Sequence, residues 1–173
     1  MKKFLSIALV AILFTSVVAC AQGDKSKRPS PPATATETIE SGAVVRIDYS
    51  QPSLKGRTMG KDIEPKQGQV WRTGANDATV FEVSQDVKIE GETLPAGKYA
   101  LFTLVEGDTW TIILNKTWKQ WGAFKYAPVD DALRVKVKAG RAEKFYEQMT
   151  FVIGKNGEVL LMWGDTQVNF TVK

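Results

Sequence analysis

The 173-residue sequence contains no histidine and only one cysteine, Cys20. The absence of histidine removes the most common general base and metal ligand, and with it any Ser–His or Cys–His nucleophile pair. A lone cysteine forms no disulfide within the chain, and a zinc site built only from carboxylates and water is unusual. The sequence therefore predicts no catalytic residue, no metal site and no cofactor.

The sequence also lacks the motifs of phosphate-binding loops and the basic blocks typical of nucleic-acid binding. Neither G-x-G-x-x-G nor G-x-x-x-x-G-K-[ST] occurs among the 14 glycines. The formal charge is +4, from 23 basic and 19 acidic side chains. Without Lys2 and Lys3, which precede the apolar run described next, 21 basic side chains remain and the charge falls to +2. No basic block stands out, so we expect no nucleic-acid partner.

The chain begins with two lysines and an apolar run of 16 residues, Phe4–Ala19. That run is shorter than the roughly 20 residues of a membrane-spanning helix and is typical of a secretory signal. It ends in V-V-A-C, which resembles a bacterial lipobox. We therefore predict a cleaved signal peptide over residues 1–19 and acylation of Cys20; the alternative is an ordinary signal peptide with a coincidental cysteine.

This leader predicts a place in the bacterial cell envelope, with the membrane as a partner through the acylated Cys20. The absence of Asp at position 21 favours the outer membrane, facing the periplasm. Residues 20–41 are rich in Pro, Ser, Thr and Lys and contain one large apolar residue, Ile39. Such a segment buries too little surface to offset its ordering entropy, so we expect a disordered tether.

Residues 42–173 alternate between apolar and polar side chains, with turn signals at short and regular spacing. This pattern predicts an all-β fold: a single antiparallel β-sandwich of about nine strands. Tyr99–Val105 and Trp110–Leu114 are apolar on both faces, which places them at the centre of a sheet. Only Ala142–Gln148 could form a short helical turn, and Ser50–Gln69 is expected to be a long loop.

Two loops combine aromatic with polar side chains, a composition suited to binding. One spans Trp71–Asp77 and the other spans Lys116–Tyr126. The alternative is that the rings close one end of the sandwich as ordinary core, and that Arg72 pairs with Asp77 or caps loop carbonyls. The candidate binding residues are Trp71, Arg72, Asn76, Lys116, Trp118, Gln120, Trp121 and Tyr126.

Five ordered segments carry a resemblance to a known family. They are YSQPSLKGR (49–57), VWRTGANDAT (70–79), LPAGKYALFT (94–103), the 115–123 stretch and DALRVKV (131–137). The chain resembles, over about residues 44–172, the bacterial envelope proteins grouped as domain of unknown function 2911. The resemblance implies a secreted or lipid-anchored single domain and assigns no catalytic residues. Asp77 and Phe124 stand where the pattern has Glu and Tyr.

The function predicted from these features is a lipid-anchored binding module. Its ligand would be a glycan, a small molecule or another envelope protein. One alternative is a hydrolase that uses two carboxylates, which needs only a pair of acidic side chains facing each other in a pocket. Another alternative is a structural component of an envelope complex, which needs an exposed apolar patch rather than a deep pocket.

Overall fold

The protein is represented by a computed structural model, which describes residues 27–173. The predicted signal peptide and Cys20 lie outside the described residues. Ten strands account for most of the described chain, and a short 3-10 helix spans Pro128–Asp130. The strands are β1 (Pro32–Thr38), β2 (Val44–Ser50), β3 (Val70–Trp71), β4 (Thr79–Val83), β5 (Val87–Ile89), β6 (Glu92–Leu94), β7 (Gly97–Glu106), β8 (Thr109–Asn115), β9 (Asp131–Ile153) and β10 (Glu158–Thr171).

Most of these strands form one curled antiparallel sheet in the order β1-β2-β4-β7-β8-β9-β10, with β3 also paired to β7. Strands β5 and β6 form a separate hairpin. All pairings between these strands are antiparallel, so the predicted all-β antiparallel fold is confirmed. The two strands predicted to be central, β7 and β8, do lie in the middle of the sheet, where both of their faces are covered.

Strand β9 is 23 residues long and serves two partners. Its first part pairs with β8 as far as Lys138, and its second part pairs with β10 from Ala139 onward. The short helical turn predicted for Ala142–Gln148 is therefore wrong. Pairing with β10, with Arg141 opposite Thr166, supplies this polar segment with the backbone partners that a helix would otherwise provide.

The curled sheet is closed where β9 meets the chain that follows β2. Met149 N–H donates to Pro52 O at 3.0 Å, and Leu54 N–H donates to Glu147 O at 3.0 Å. Phe151 N–H donates to the Tyr49 hydroxyl at 3.1 Å, and the two rings make an edge contact at 4.9 Å. This closure encloses the main core, which includes apolar side chains from four of the alternating runs: Val45, Ile47, Tyr49, Phe81, Val83, Leu133, Val135, Val168, Phe170 and Val172.

A second, smaller apolar cluster lies on the opposite face of β7 and β8. It contains Ala78, Ala100, Phe102 and Ile113, all buried. Partly buried side chains from the loop after β8, Ala123 and Tyr126, pack against it. The loop after β8 therefore packs on the outer face of β7 and β8.

The predicted tether needs correction over its second half. Residues 32–38 form β1, which pairs along its whole length with β2, from Pro32 opposite Ser50 to Thr38 opposite Val44. Ala33 and Ala35 pack against the core, and Ile39 is 3% exposed. An edge strand with small inward side chains has only a weak hydrophobic pattern in the sequence. The segment is held in place by its backbone pairing with β2 and by the buried Ile39. The remainder of the predicted tether, up to residue 26, lies outside the described residues.

Candidate binding site

The two loops singled out in the sequence meet through their backbones. Ala78 N–H donates to Gln120 O at 3.0 Å, and Gly122 N–H donates to Asn76 O at 3.0 Å. Asp77 and Trp121 form an isolated antiparallel bridge between these hydrogen bonds. The structure therefore brings residues 71–78 and 116–126 together as one continuous surface.

Several candidate residues in the second loop hold the loop together. The Gln120 side chain is 6% exposed; its amide donates to Thr117 O at 2.6 Å and its carbonyl accepts from Lys125 N–H at 3.0 Å. Lys116 points outward as an exposed residue, while its backbone N–H donates to Asp130 O at 2.9 Å. Gln120 is thus a structural residue of the loop, and Lys116 is a surface charge.

Tyr126 connects the loop to the outer face of the sheet. Its ring makes an edge contact with Phe102, with centroids 5.1 Å apart. Its hydroxyl donates to Asp131 Oδ2 at 2.9 Å and accepts from Arg134 Nη1 at 3.1 Å. Burial, with the neighbouring Asp131 carboxylate, raises the pKa of Tyr126 above its ordinary value. Tyr126 is therefore engaged within the protein on both its ring and its hydroxyl.

Other rings of the same loop remain exposed. Trp118 is 37% exposed, Trp121 is 51% exposed and Phe124 is 82% exposed. Val129, at the end of the loop, is 87% exposed. The core-capping alternative therefore accounts for Tyr126 but not for the three exposed rings. We call residues 116–129, with these exposed side chains, the aromatic edge.

The first loop has a buried aromatic base. Trp71 is 3% exposed and stacks on Trp163 at 5.7 Å with an interplanar angle of 16°. Its indole N–H donates to Gly74 O at 3.1 Å. Trp71 therefore forms a wall of the site instead of an exposed stacking surface.

Arg72 emerges from this base toward the aromatic edge. Its Nε donates to Gly74 O at 3.4 Å, and within residues 27–173 its Nη atoms have no hydrogen-bond or ion-pair partner. The sequence left open a pair with Asp77, but Asp77 lies 3.7 Å from Arg28 instead. A Cβ at position 122 would lie 2.8 Å from Arg72 Nη1, so a glycine there lets the second loop pass over the guanidinium.

The backbone beside Arg72 is held in a strained conformation. Thr73 has a φ of 50°, which is uncommon for a β-branched residue. It is fully buried, its hydroxyl lies 3.1 Å from that of Thr103, and its carbonyl accepts from Thr79 Oγ1 at 2.7 Å. Asn76, with a φ of 62°, donates from its side chain to Ser30 O at 3.0 Å. These bonds fix the direction in which Arg72 leaves the sheet.

Two neighbouring cavities share Arg72, Trp71 and Glu64 in their linings. One, of about 230 Å³, extends toward Lys55 and Arg57. The other, of about 260 Å³, extends toward Phe124 of the aromatic edge. Because Arg72 borders both, it lies at the junction of the two cavities.

The 230 Å³ cavity includes residues that the sequence did not single out. Arg57 is positioned by two backbone carbonyls, those of Leu54 at 2.9 Å and Ser53 at 2.7 Å. Ser53, Lys55, Arg57 and Glu64 come from the long loop after β2, and loops this long within a compact domain are often functional. Lys55, Arg57 and Arg72 against Glu64 give the lining a net charge of +2. Such a site favours an anion.

The sequence matches the family described as "Protein of unknown function (DUF2911)" over residues 30–172. The chain belongs to this family. The match begins at Ser30, whose carbonyl accepts from Asn76, so the DUF2911 domain includes β1 and begins before the boundary expected at residue 42. No curated protein and no solved structure matches the chain.

Carboxylates are also placed near one another in this DUF2911 chain. Asp48 and Asp77 both line a third cavity, of about 160 Å³. Asp48 is bound by Arg46 at 2.7 Å and 2.8 Å and by the Thr34 hydroxyl at 2.6 Å. Burial alone would raise the pKa of Asp48, but these hydrogen bonds outweigh it and the pKa is lowered. A depressed pKa keeps Asp48 ionised, so it does not supply the protonated acid that a two-carboxylate hydrolase needs.

Residues 27–173 contain no group of three or more acidic or cysteine side chains arranged to hold a metal ion. The same range contains no helix that is long and apolar enough to span a membrane.

Proposed function

We propose that this DUF2911 protein is a lipid-anchored binding module of the bacterial cell envelope. Its ligand is a small molecule, or the end group of a glycan, that carries a carboxylate or phosphate and binds at Arg72. The observation that carries the proposal is the guanidinium itself. Arg72 borders two cavities, and its Nη atoms have no partner within residues 27–173.

The chemistry of the surroundings supports an anionic ligand. Arginine binds carboxylates and phosphates through two parallel N–H groups, and Arg57 is held by carbonyls at the rim of the same cavity. Trp71 and Trp163 add an apolar wall to it. The indole N–H of Trp163 is buried and has no acceptor in the described part of the chain.

The size of the cavities favours a small ligand. Volumes of about 230 and 260 Å³ lie below the roughly 300–1,000 Å³ of pockets that enclose drug-sized molecules. A hexose-sized acid suits this space, whereas a long glycan chain would extend beyond it over the aromatic edge.

A thermal-shift panel tests the proposal on the full-length protein. The probes are glucuronate and glucose 6-phosphate, with glucose as the uncharged counterpart. A probe at 100 times its Kd adds about 2.7 kcal/mol of stability, which raises Tm by roughly 5–10 °C. We expect this shift with the anionic probes and not with glucose.

The variants are Arg72→Gln and Arg141→Gln, the latter being an exposed arginine outside the cavities. We expect the shift to disappear in Arg72→Gln and to persist in Arg141→Gln. Equal shifts in both variants, or a response to glucose as large as that to the acids, would contradict the proposed site.

The anchor at Cys20 is tested separately. Cells expressing the protein are given an alkyne-labelled fatty acid, and we expect the label on the wild type and on an Ala21→Ser control, but not on Cys20→Ser. A wild-type protein without label would refute acylation at this position, and would leave the Arg72 site unaffected.

A further inference from the structure

The aromatic edge concentrates the exposed large apolar side chains of the protein. Seven such residues occur in the described chain, and four of them, Trp118, Trp121, Phe124 and Val129, fall within 12 consecutive positions. Loop hydrogen bonds and the Tyr126–Phe102 contact hold this segment in place. The exposed rings therefore belong to a formed surface and are not the outcome of a poorly packed loop.

The charged side chains of residues 116–129 are all positive. Lys116, Lys119 and Lys125 are all exposed, and residues 116–129 contain no acidic side chain. Two further cations lie over its rings: Lys98 Nζ is 5.7 Å from the Trp118 ring, and Arg28 is 5.9 Å from the Trp121 ring. Both are ion-paired, Lys98 with Glu82 and Arg28 with Asp77, so the net charge comes from the three lysines of residues 116–129. Tryptophan and phenylalanine beside lysine are the side chains that favour the interface between lipid headgroups and acyl chains.

The position of the predicted lipid anchor, Cys20, favours the membrane as the partner of the aromatic edge. Arg28 is eight residues after Cys20, and eight residues span at most about 29 Å when fully extended. The described domain, residues 27–173, has an expected radius of gyration of about 15 Å and is therefore about 40 Å across. A lipid on Cys20 thus keeps the face around Arg28 and Trp121 near the membrane, while the opposite face is too distant to reach it.

We propose that the aromatic edge is a membrane-docking surface that seats the domain on an anionic lipid leaflet. This inference rests on the proposed acylation of Cys20. Trp118, Trp121 and Phe124 enter the headgroup region, while Lys116, Lys119 and Lys125 contact anionic headgroups. Docking holds the Arg72 cavities next to the leaflet, where the binding module would meet ligands at the membrane surface.

The test uses full-length lipoprotein reconstituted into vesicles of phosphatidylethanolamine and phosphatidylglycerol, 3:1, with or without brominated acyl chains. Flotation of the vesicles first shows whether the protein is anchored; failure to float refutes the anchor, and with it this inference. Trp71, Trp110 and Trp163 are 3–4% exposed, so lipid-borne bromine reports on Trp118 and Trp121. We expect bromolipid quenching in the wild type and its loss in the Trp118→Phe/Trp121→Phe double variant.

A tryptophan introduced at the far end of β2 is the control for quenching that would arise only because the anchored domain lies near the membrane. Val44 is 40% exposed and lies six residues, or about 20 Å, from Ser50 at the site end of that strand. Val44→Trp in the double-variant background should not be quenched. Quenching there equal to that of Trp118 and Trp121, or no quenching of the anchored wild type, would overturn the docking surface.

The lysines provide a second readout. Each lysine near an anionic membrane should change the ratio of docked to undocked protein about fivefold. Replacing Lys116, Lys119 and Lys125 by Gln should therefore reduce quenching in phosphatidylglycerol vesicles but not in purely zwitterionic ones. If anchored wild-type tryptophans stay fully accessible to aqueous acrylamide and become protected by soluble oligosaccharide, the edge binds glycan and the membrane proposal is wrong.

Discussion

Replacing Tyr49 by Phe tests how the curled sheet is closed. The hydroxyl of Tyr49 accepts the backbone N–H of Phe151 at 3.1 Å, and the contact joins β2 to β9 in the interior. The substitution keeps the edge contact between the rings and removes only the acceptor. A buried donor left unsatisfied costs about 1–3 kcal/mol, which for a domain of this size lowers Tm by roughly 2–12 °C.

The assay is calorimetric unfolding of Tyr49→Phe beside Tyr146→Phe. Within residues 27–173 the Tyr146 hydroxyl has no hydrogen-bond partner, so the control removes the same atom without losing a bond. We expect Tyr146→Phe to match the wild type. Equal Tm values for the two variants would show that the Tyr49 bond does not contribute to closure.

Tyr49 also predicts how the stability of the protein changes with pH. Burial raises the pKa of Tyr49, and also that of Tyr99 and Tyr126, above the ordinary value. The folded protein therefore holds these protons more tightly than the unfolded chain does. This contribution to stability is complete below about pH 10 and is lost as pH rises through the folded pKa values. Tyr49→Phe should lose less stability above pH 10 than the wild type, and an equal loss would contradict this assignment.

Two further substitutions test the fold. Gly157→Ala should destabilise the protein far more than Gly107→Ala. Both glycines have positive φ, but a Cβ at position 157 would collide with Val172 O, whereas a Cβ at position 107 meets no other atom. Similar urea midpoints for the two variants would refute the close approach of residue 157 to Val172. Ala35→Asp should cost about 1–3 kcal/mol and Thr36→Asp almost nothing, because Ala35 packs against the core whereas Thr36 is exposed. Equal unfolding free energies would show that β1 is not part of the domain.

Local patterns in the sequence predicted most strands of the sheet. Strands β7 and β8 are apolar on both faces, and a strand with no polar face is expected to be buried on both sides. The sequence therefore predicted that they lie at the centre of the sheet. Glu90 and Gly91 both adopt positive φ between β5 and β6, the backbone conformation of a tight two-residue hairpin turn. Strand β1 was missed because its Pro, Thr and Ala composition resembles a tether, and only pairing with β2 reveals it.

The candidate site could be predicted only in part. Its two loops were recognisable by composition, because aromatic and polar side chains alternate there. Arg57 was not, because it lines the same cavity as Arg72 only when the chain after β2 closes against β9. Periodicity also could not separate buried from exposed rings within a loop: Trp71 is buried by stacking on Trp163, a residue 92 positions later, while Trp121 is half exposed.

The central claim is that Arg72 binds an anionic group, and titration calorimetry of the full-length protein with glucose 6-phosphate tests it most directly. A hydrogen bond to a charged group contributes about 1.5–3 kcal/mol, so Arg72→Gln should weaken binding about 10- to 150-fold. Arg141→Gln should bind as the wild type does. Saturable binding that is equally tight in the wild type and in Arg72→Gln would contradict the account.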